Sequence, residues 1–254
     1  MAQFLPNNAR PGSFGRTNAG SIDEGLRTYM LRVYNYMALG VAGTAVVVLA
    51  LMSNPGVMVA LGTGMMRWVV FGALLMLGLF SHKVIFSGNK VLAHGAYWLY
   101  CALWGVLMAP FVFSFFAKGQ GALVGKAFAI TAATFAATSL VGYTTKRDMT
   151  GWSGFLSFAC IGLLIASLVS FFFITDPGTS KTLSLVISCG VVLLFSVMIA
   201  FETQMIKSMY IEASTYGDAN AINQSAIFGA FALYGSIVTL FQHILNILGL
   251  TSSD

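Results

Sequence analysis

Seven apolar stretches, separated by turn residues, govern what this chain can fold into. They fall at 33–52, 68–80, 91–116, 127–143, 152–174, 182–201 and 222–250. An α-helix rises about 1.5 Å per residue, so about 20 residues cross a hydrocarbon layer about 30 Å thick. The second stretch is short by that measure, and six spans remain if it fails. Composition points the same way, with 57% hydrophobic residues, 8% charged residues and a mean hydropathy of +0.83. Soluble domains carry about 25% charged residues. Thirteen Lys/Arg and eight Asp/Glu cannot give 254 residues a water-compatible surface. The exterior therefore faces a lipid bilayer, and the expected fold class is an all-α integral membrane protein. The same scarcity of charge excludes a disordered chain and argues against any nucleic-acid partner.

Three regions follow from the pattern. Residues 1–27 are rich in Gly, Asn and Pro and lack the apolar core of a signal peptide, so they read as a flexible cytoplasmic tail. Ser21-Ile22-Asp23-Glu24 has capping-box spacing and predicts a helix start. Residues 28–250 form the seven-helix membrane domain, and 251–254 a short periplasmic tail. Orientation comes from the basic residues, which are retained on the cytoplasmic side. With the N-terminus inside, that side holds nine: Arg10, Arg16, Arg27, Arg32, Lys83, Lys90, Lys146, Arg147 and Lys207. The other side holds four, Arg67, Lys118, Lys126 and Lys181. The net charge of +5 thus reads as topology, with the N-terminus cytoplasmic and the C-terminus periplasmic.

Polar groups inside apolar stretches are the informative ones in such a chain. Glu202 follows the run 191–201, apolar but for Ser196, and precedes Lys207 by five residues, about 7 Å of helix. A carboxylate at that depth needs a partner or water, and it reads either as a proton-sensitive, cation-binding group or as an interfacial acid. The fourth stretch is built of Ala, Thr and Ser, which suits a central helix closely surrounded by others. Gly151-Trp152-Ser153-Gly154 matches the nucleophile pattern of intramembrane proteases, but Ser153 and the distant His243 belong to opposite faces, about 30 Å apart. Cys101, Cys160 and Cys189 lie in apolar stretches and suggest no disulfide framework. With no metal-ligand spacing and no phosphate loop, neither an enzyme nor a cofactor is expected.

The chain also resembles the Bax-inhibitor-like (transmembrane Bax inhibitor motif) family in a bacterial form. The resemblance rests on Val33-Tyr34-Asn35-Tyr36-Met37-Ala38-Leu39-Gly40, on the corner Thr144-Thr145-Lys146-Arg147-Asp148, on Phe195-Ser196 and Phe201-Glu202-Thr203-Gln204, and on Ala232-Leu233-Tyr234 onward. It implies a seven-transmembrane-helix bundle with its last helix central, in the cell inner membrane. For some members it implies a pH-sensitive calcium leak gated by two aspartates. Glu202 takes the first of those positions and Ser236 the second, so one titrating acid stands beside a hydroxyl. The function expected from it is proton-modulated passive passage of a cation, calcium among the candidates, through a pathway containing Glu202 and Ser236. His82 and Lys83 are expected as partners of the Glu202 carboxylate at the cytoplasmic face. The alternative is a non-transporting regulator that binds a membrane protease or a stress-response partner.

Overall fold

The computed structural model describes residues 14–173 and 176–252. They form α1 (Phe14–Met52), α2 (Pro55–Thr63), α3 (Met66–Ile85), α4 (Lys90–Ala117), α5 (Gly121–Thr144), a 3-10 turn (Thr150–Trp152), α6 (Ser153–Phe173), α7 (Pro177–Thr215) and α8 (Ala219–Thr251). Among the described residues, seven helices, all but α2, are long and apolar enough to cross a membrane. The second apolar stretch grows into a 20-residue helix, which removes the six-span alternative. The fold is an all-α membrane bundle.

Loop chemistry sets the helix ends. Asn89, Asp176 and Asp218 accept hydrogen bonds from the first free amides of α4, α7 and α8, the N-cap role that short acids and amides fill well. Proline at the first turn starts both α2 and α7, where its missing N–H costs nothing. The segment after Ser53-Asn54 is therefore helical, although α2, at nine residues or about 13 Å, is too short to cross. Glycines in left-handed backbone, Gly88, Gly119 and Gly217, close three of the turns.

Two expectations change. The helix predicted to start at Ser21 already runs from Phe14, so the capping-box residues lie inside α1. Once nucleated, a helix gains one bond per added residue and needs no cap at that point. Residues 1–13 of the expected tail, and 253–254 at the other end, lie outside the described residues. The Ala/Thr/Ser-rich α5 is also not central: 17% of its most apolar stretch is buried, against 56% for α8. Its threonines satisfy themselves, since Thr131, Thr134 and Thr138 donate to the carbonyls of Ala127, Ile130 and Thr134. A helix whose hydroxyls are already bonded has no need of protein on every side.

The centre is α8, which packs against α1, α3, α4, α5 and α7. α7 and α8 form the dominant antiparallel pair. At 39, 39 and 33 residues, α1, α7 and α8 exceed the length a span needs. The alternation of the seven spans gathers the 145–149 corner, the α7–α8 turn and the start of α4 at one end of the bundle, called here the basic end after Lys146, Arg147 and Lys90.

Candidate functional site

Glu202, Thr203 and Gln204 are consecutive on α7, and successive helical residues point about 100° apart. Each therefore meets a different neighbour. Glu202 faces α8, where the Ser236 hydroxyl donates to its Oε1 at 2.9 Å. Thr203, fully buried, bonds to Ser139 of α5 at 3.1 Å, and Ser139 bonds in turn to the Tyr34 hydroxyl of α1 at 2.7 Å. Gln204 faces the α5–α6 corner: its Nε2 donates to the Arg147 carbonyl at 2.7 Å and its Oε1 accepts from the Met149 amide at 2.8 Å. Three residues of one helix thus hold α8, α5 and a loop in fixed positions around the acid.

Lys207, one turn further along, donates to the Tyr143 carbonyl at 3.1 Å, with its ammonium 5.1 Å from the Tyr143 ring centre. The last turn of α5 carries no basic residue of its own, so Lys207 supplies the cation that a helix C-terminus favours. The corner itself is closed by Asp148, which accepts from the amide and the hydroxyl of Thr150. Those two bonds hold the Asp148 carboxyl below its ordinary range. Their support for the turn is present at neutral pH and is lost as pH falls through that lowered value.

Replacing Gln204 by alanine removes both bonds to the corner. The Met149 amide should then exchange with solvent about fivefold faster or more, since an unpaired backbone group costs about 1–3 kcal/mol. Hydrogen exchange read at Met149 checks this, and unchanged protection there contradicts the clamp.

At Glu202 the carboxylate is incompletely partnered. Its Oε2 is enclosed and has no hydrogen-bond partner among the described residues. A carboxylate has acceptor capacity on both oxygens, so Oε2 is a place that a proton, a water or a cation can fill. The surroundings are aromatic and small. The Tyr100 ring stacks on Phe231 at 3.9 Å and meets Tyr234 edge-on at 5.7 Å. Gly235, beside Ser236, makes room for the Tyr100 hydroxyl, which would lie 2.8 Å from any Cβ there.

The structure brings Glu202 and Ser236 together but not His82 and Lys83. The His82 ring packs on Phe86 at 4.7 Å and Phe228 at 5.6 Å, and the Lys83 ammonium lies 5.9 Å from the Phe80 ring centre. Phe228 precedes Ser236 by eight residues on α8, about 12 Å of rise, so these side chains sit two turns nearer the basic end than the acid does. His243 is likewise no partner of Ser153. It bonds to Ser188 of α7 at 3.1 Å, and Asn246 donates to Ser188 at 2.8 Å and to Ser184 at 2.9 Å. This second polar group on the α7–α8 seam was readable in the sequence as Ser184/Ser188 and His243/Asn246 at helical spacings, but a search for misplaced acids passes over it.

A seven-span bundle with a central last helix, and an enclosed acid bonded across its α7–α8 seam, defines a class of polytopic membrane protein. Comparison with known proteins places it further. The family described as inhibitor of apoptosis-promoting Bax1 matches residues 26–253. The chain is 33% identical over 228 residues to the inner membrane protein YbhL of Escherichia coli, covering 89% of this chain and 92% of that one. It is 34% identical over 238 residues to an uncharacterized protein of Caulobacter vibrioides, covering 90% and 91%. A protein of Rickettsia prowazekii is 34% identical over 230 residues, covering 90% and 92%. The chain belongs to the Bax-inhibitor-like family.

Proposed function

We propose that the protein is a non-enzymatic, passive path for cations across a bacterial inner membrane, with passage set by protonation of Glu202. The observation that carries this reading is the enclosed Oε2 of Glu202, without a hydrogen-bond partner among the described residues while Oε1 takes the Ser236 hydroxyl. With a proton bound, the acid is neutral and the seam is closed by the hydrogen bond to Ser236. Without it, the carboxylate draws a cation to Oε2. One acid beside a hydroxyl titrates as a single site. Calcium prefers six to eight oxygen ligands, so calcium passing here keeps water or carbonyl oxygens around it.

The inner-membrane location follows the relative YbhL and the seven spans, and the excess of basic residues at one end orients that end to the cytoplasm, with the C-terminus periplasmic. Purified protein in liposomes loaded with a calcium-sensitive dye should show cation entry that changes with pH along a one-proton curve. Absence of flux at every pH contradicts the reading. In that event, co-purification of a membrane protease that is lost on deleting residues 2–20 supports the regulatory alternative.

A further inference from the structure

At the basic end, α1, α4 and α8 line an open cavity of about 640 Å³ that lies apart from Glu202. Its polar lining converges from three helices. Arg32 and Asn35 come from α1, Lys90 and His94 from α4, and Asn223 and Gln224 from α8. Arg32 and Asn35 are three apart and Lys90 and His94 four apart, so on α1 and on α4 the pair shares one face of its helix. Among the described residues that line it, none is acidic.

The Arg32 guanidinium and the His94 ring are each held by neutral partners. Arg32 Nη1 donates to the Asn223 Oδ1 at 2.6 Å, which fixes the guanidinium at the junction of α1 and α8 without neutralising it. His94 Nδ1 lies 2.8 Å from the Lys90 carbonyl, and because a carbonyl only accepts, Nδ1 carries the proton. Nε2 then meets the Tyr36 hydroxyl at 3.3 Å. The same face of α1 continues with Leu31 and Leu39, which line the cavity and are 53% and 56% exposed. A cationic floor beside an exposed apolar wall, at the level where spans leave the hydrocarbon, has the chemistry of a phosphate ester with acyl chains attached.

We propose that this cavity binds the phosphodiester headgroup of an anionic glycerophospholipid. Arg32 and Lys90 contact the phosphate, Asn35, Asn223 and Gln224 meet the glycerol oxygens, and the chains lie along Leu31 and Leu39. Arginine suits this place because its planar fork matches a phosphate through two donors while another donor stays on Asn223. The proposal does not depend on ion passage or on Glu202.

The test is native mass spectrometry of the full chain released from detergent in the presence of phosphatidylglycerol or phosphatidylcholine, with glycerol 3-phosphate as soluble competitor. The expected result is a preference of about tenfold or more for phosphatidylglycerol, from two surface cations at about 1 kcal/mol each. The double variant Arg32→Gln/Lys90→Gln should lose the preference. Arg32→Lys should keep most of it, and Lys118→Gln, at the opposite end of α4, should keep all of it. An unchanged melting temperature of the double variant shows that loss of lipid is not loss of fold. Equal retention of the two lipids, or a preference that survives the double variant, overturns the proposal. Displacement of phosphatidylglycerol by equimolar glycerol 3-phosphate overturns the lipid assignment and gives the cavity to a soluble phosphate ester.

Discussion

Gly142→Ala is expected to lower the melting temperature of the detergent-solubilised protein by about 5–10 °C. Gly142 lies on α5 where that helix crosses α7, and a Cβ there would collide with the Ala200 carbonyl oxygen and stand 2.8 Å from Ala200 Cα. These are backbone atoms, which cannot rotate aside as a side chain does. The helices must separate, and in lipid close backbone approach is itself a source of helix association. Separation also stretches the Ser139–Thr203 bond and the Lys207–Tyr143 bond, both of which join the same two helices. Overpacking of this kind costs about 1–3 kcal/mol, and each kcal/mol moves the midpoint of a chain this size by about 2–4 °C. Gly125→Ala, on the same helix with no atom of another element within 4 Å of the added Cβ among the described residues, is the control and should melt like the parent. Equal melting of the two variants contradicts the close approach of α5 and α7.

Ser236→Asp is expected to change the form of the pH response. The Ser236 hydroxyl is 2.9 Å from Glu202 Oε1, so an aspartate there places two carboxyls within reach of one proton. Two acids at such a distance cannot both ionise freely, and they release protons in two steps that belong to the pair. Flux through the variant should follow a two-step curve with the steps more than about one pH unit apart. Ser236→Ala, which removes the donor and adds no acid, should retain a single step. A single step in the aspartate variant would mean that the side chains at 202 and 236 do not face each other in the membrane.

Much of this arrangement was legible in the sequence because the bilayer imposes a length on every span. The apolar runs located all seven crossing helices, and an acid at the end of the stretch 191–201, apolar but for Ser196, marked Glu202. The family resemblance, not composition, pointed to Ser236 and to the central α8. Packing was less legible. The small residues of α5 looked like the signature of a central helix, yet only the face carrying Ser139 and Gly142 is buried against α7, and the threonine hydroxyls turn back to their own backbone. His82 and Lys83 looked like partners for the acid because they close a span at the same end. A difference of two turns along α8 separates them from it, and such offsets arise from how neighbouring helices are staggered, which hydropathy does not encode. The clamp of Gln204 on Arg147 and Met149 joins residues more than 50 apart in sequence and was visible only once α5 and α7 were side by side.

The central claim is that the Glu202 carboxyl couples protons to cation passage. Its most direct test is calcium flux into liposomes, with wild type and Glu202→Gln reconstituted side by side and stepped through the same pH series. Glutamine keeps the shape and can still accept from Ser236 but cannot gain or lose a proton. The account predicts a one-proton dependence of flux in the wild type and a flat profile in the variant. A variant profile that follows the wild type would contradict it.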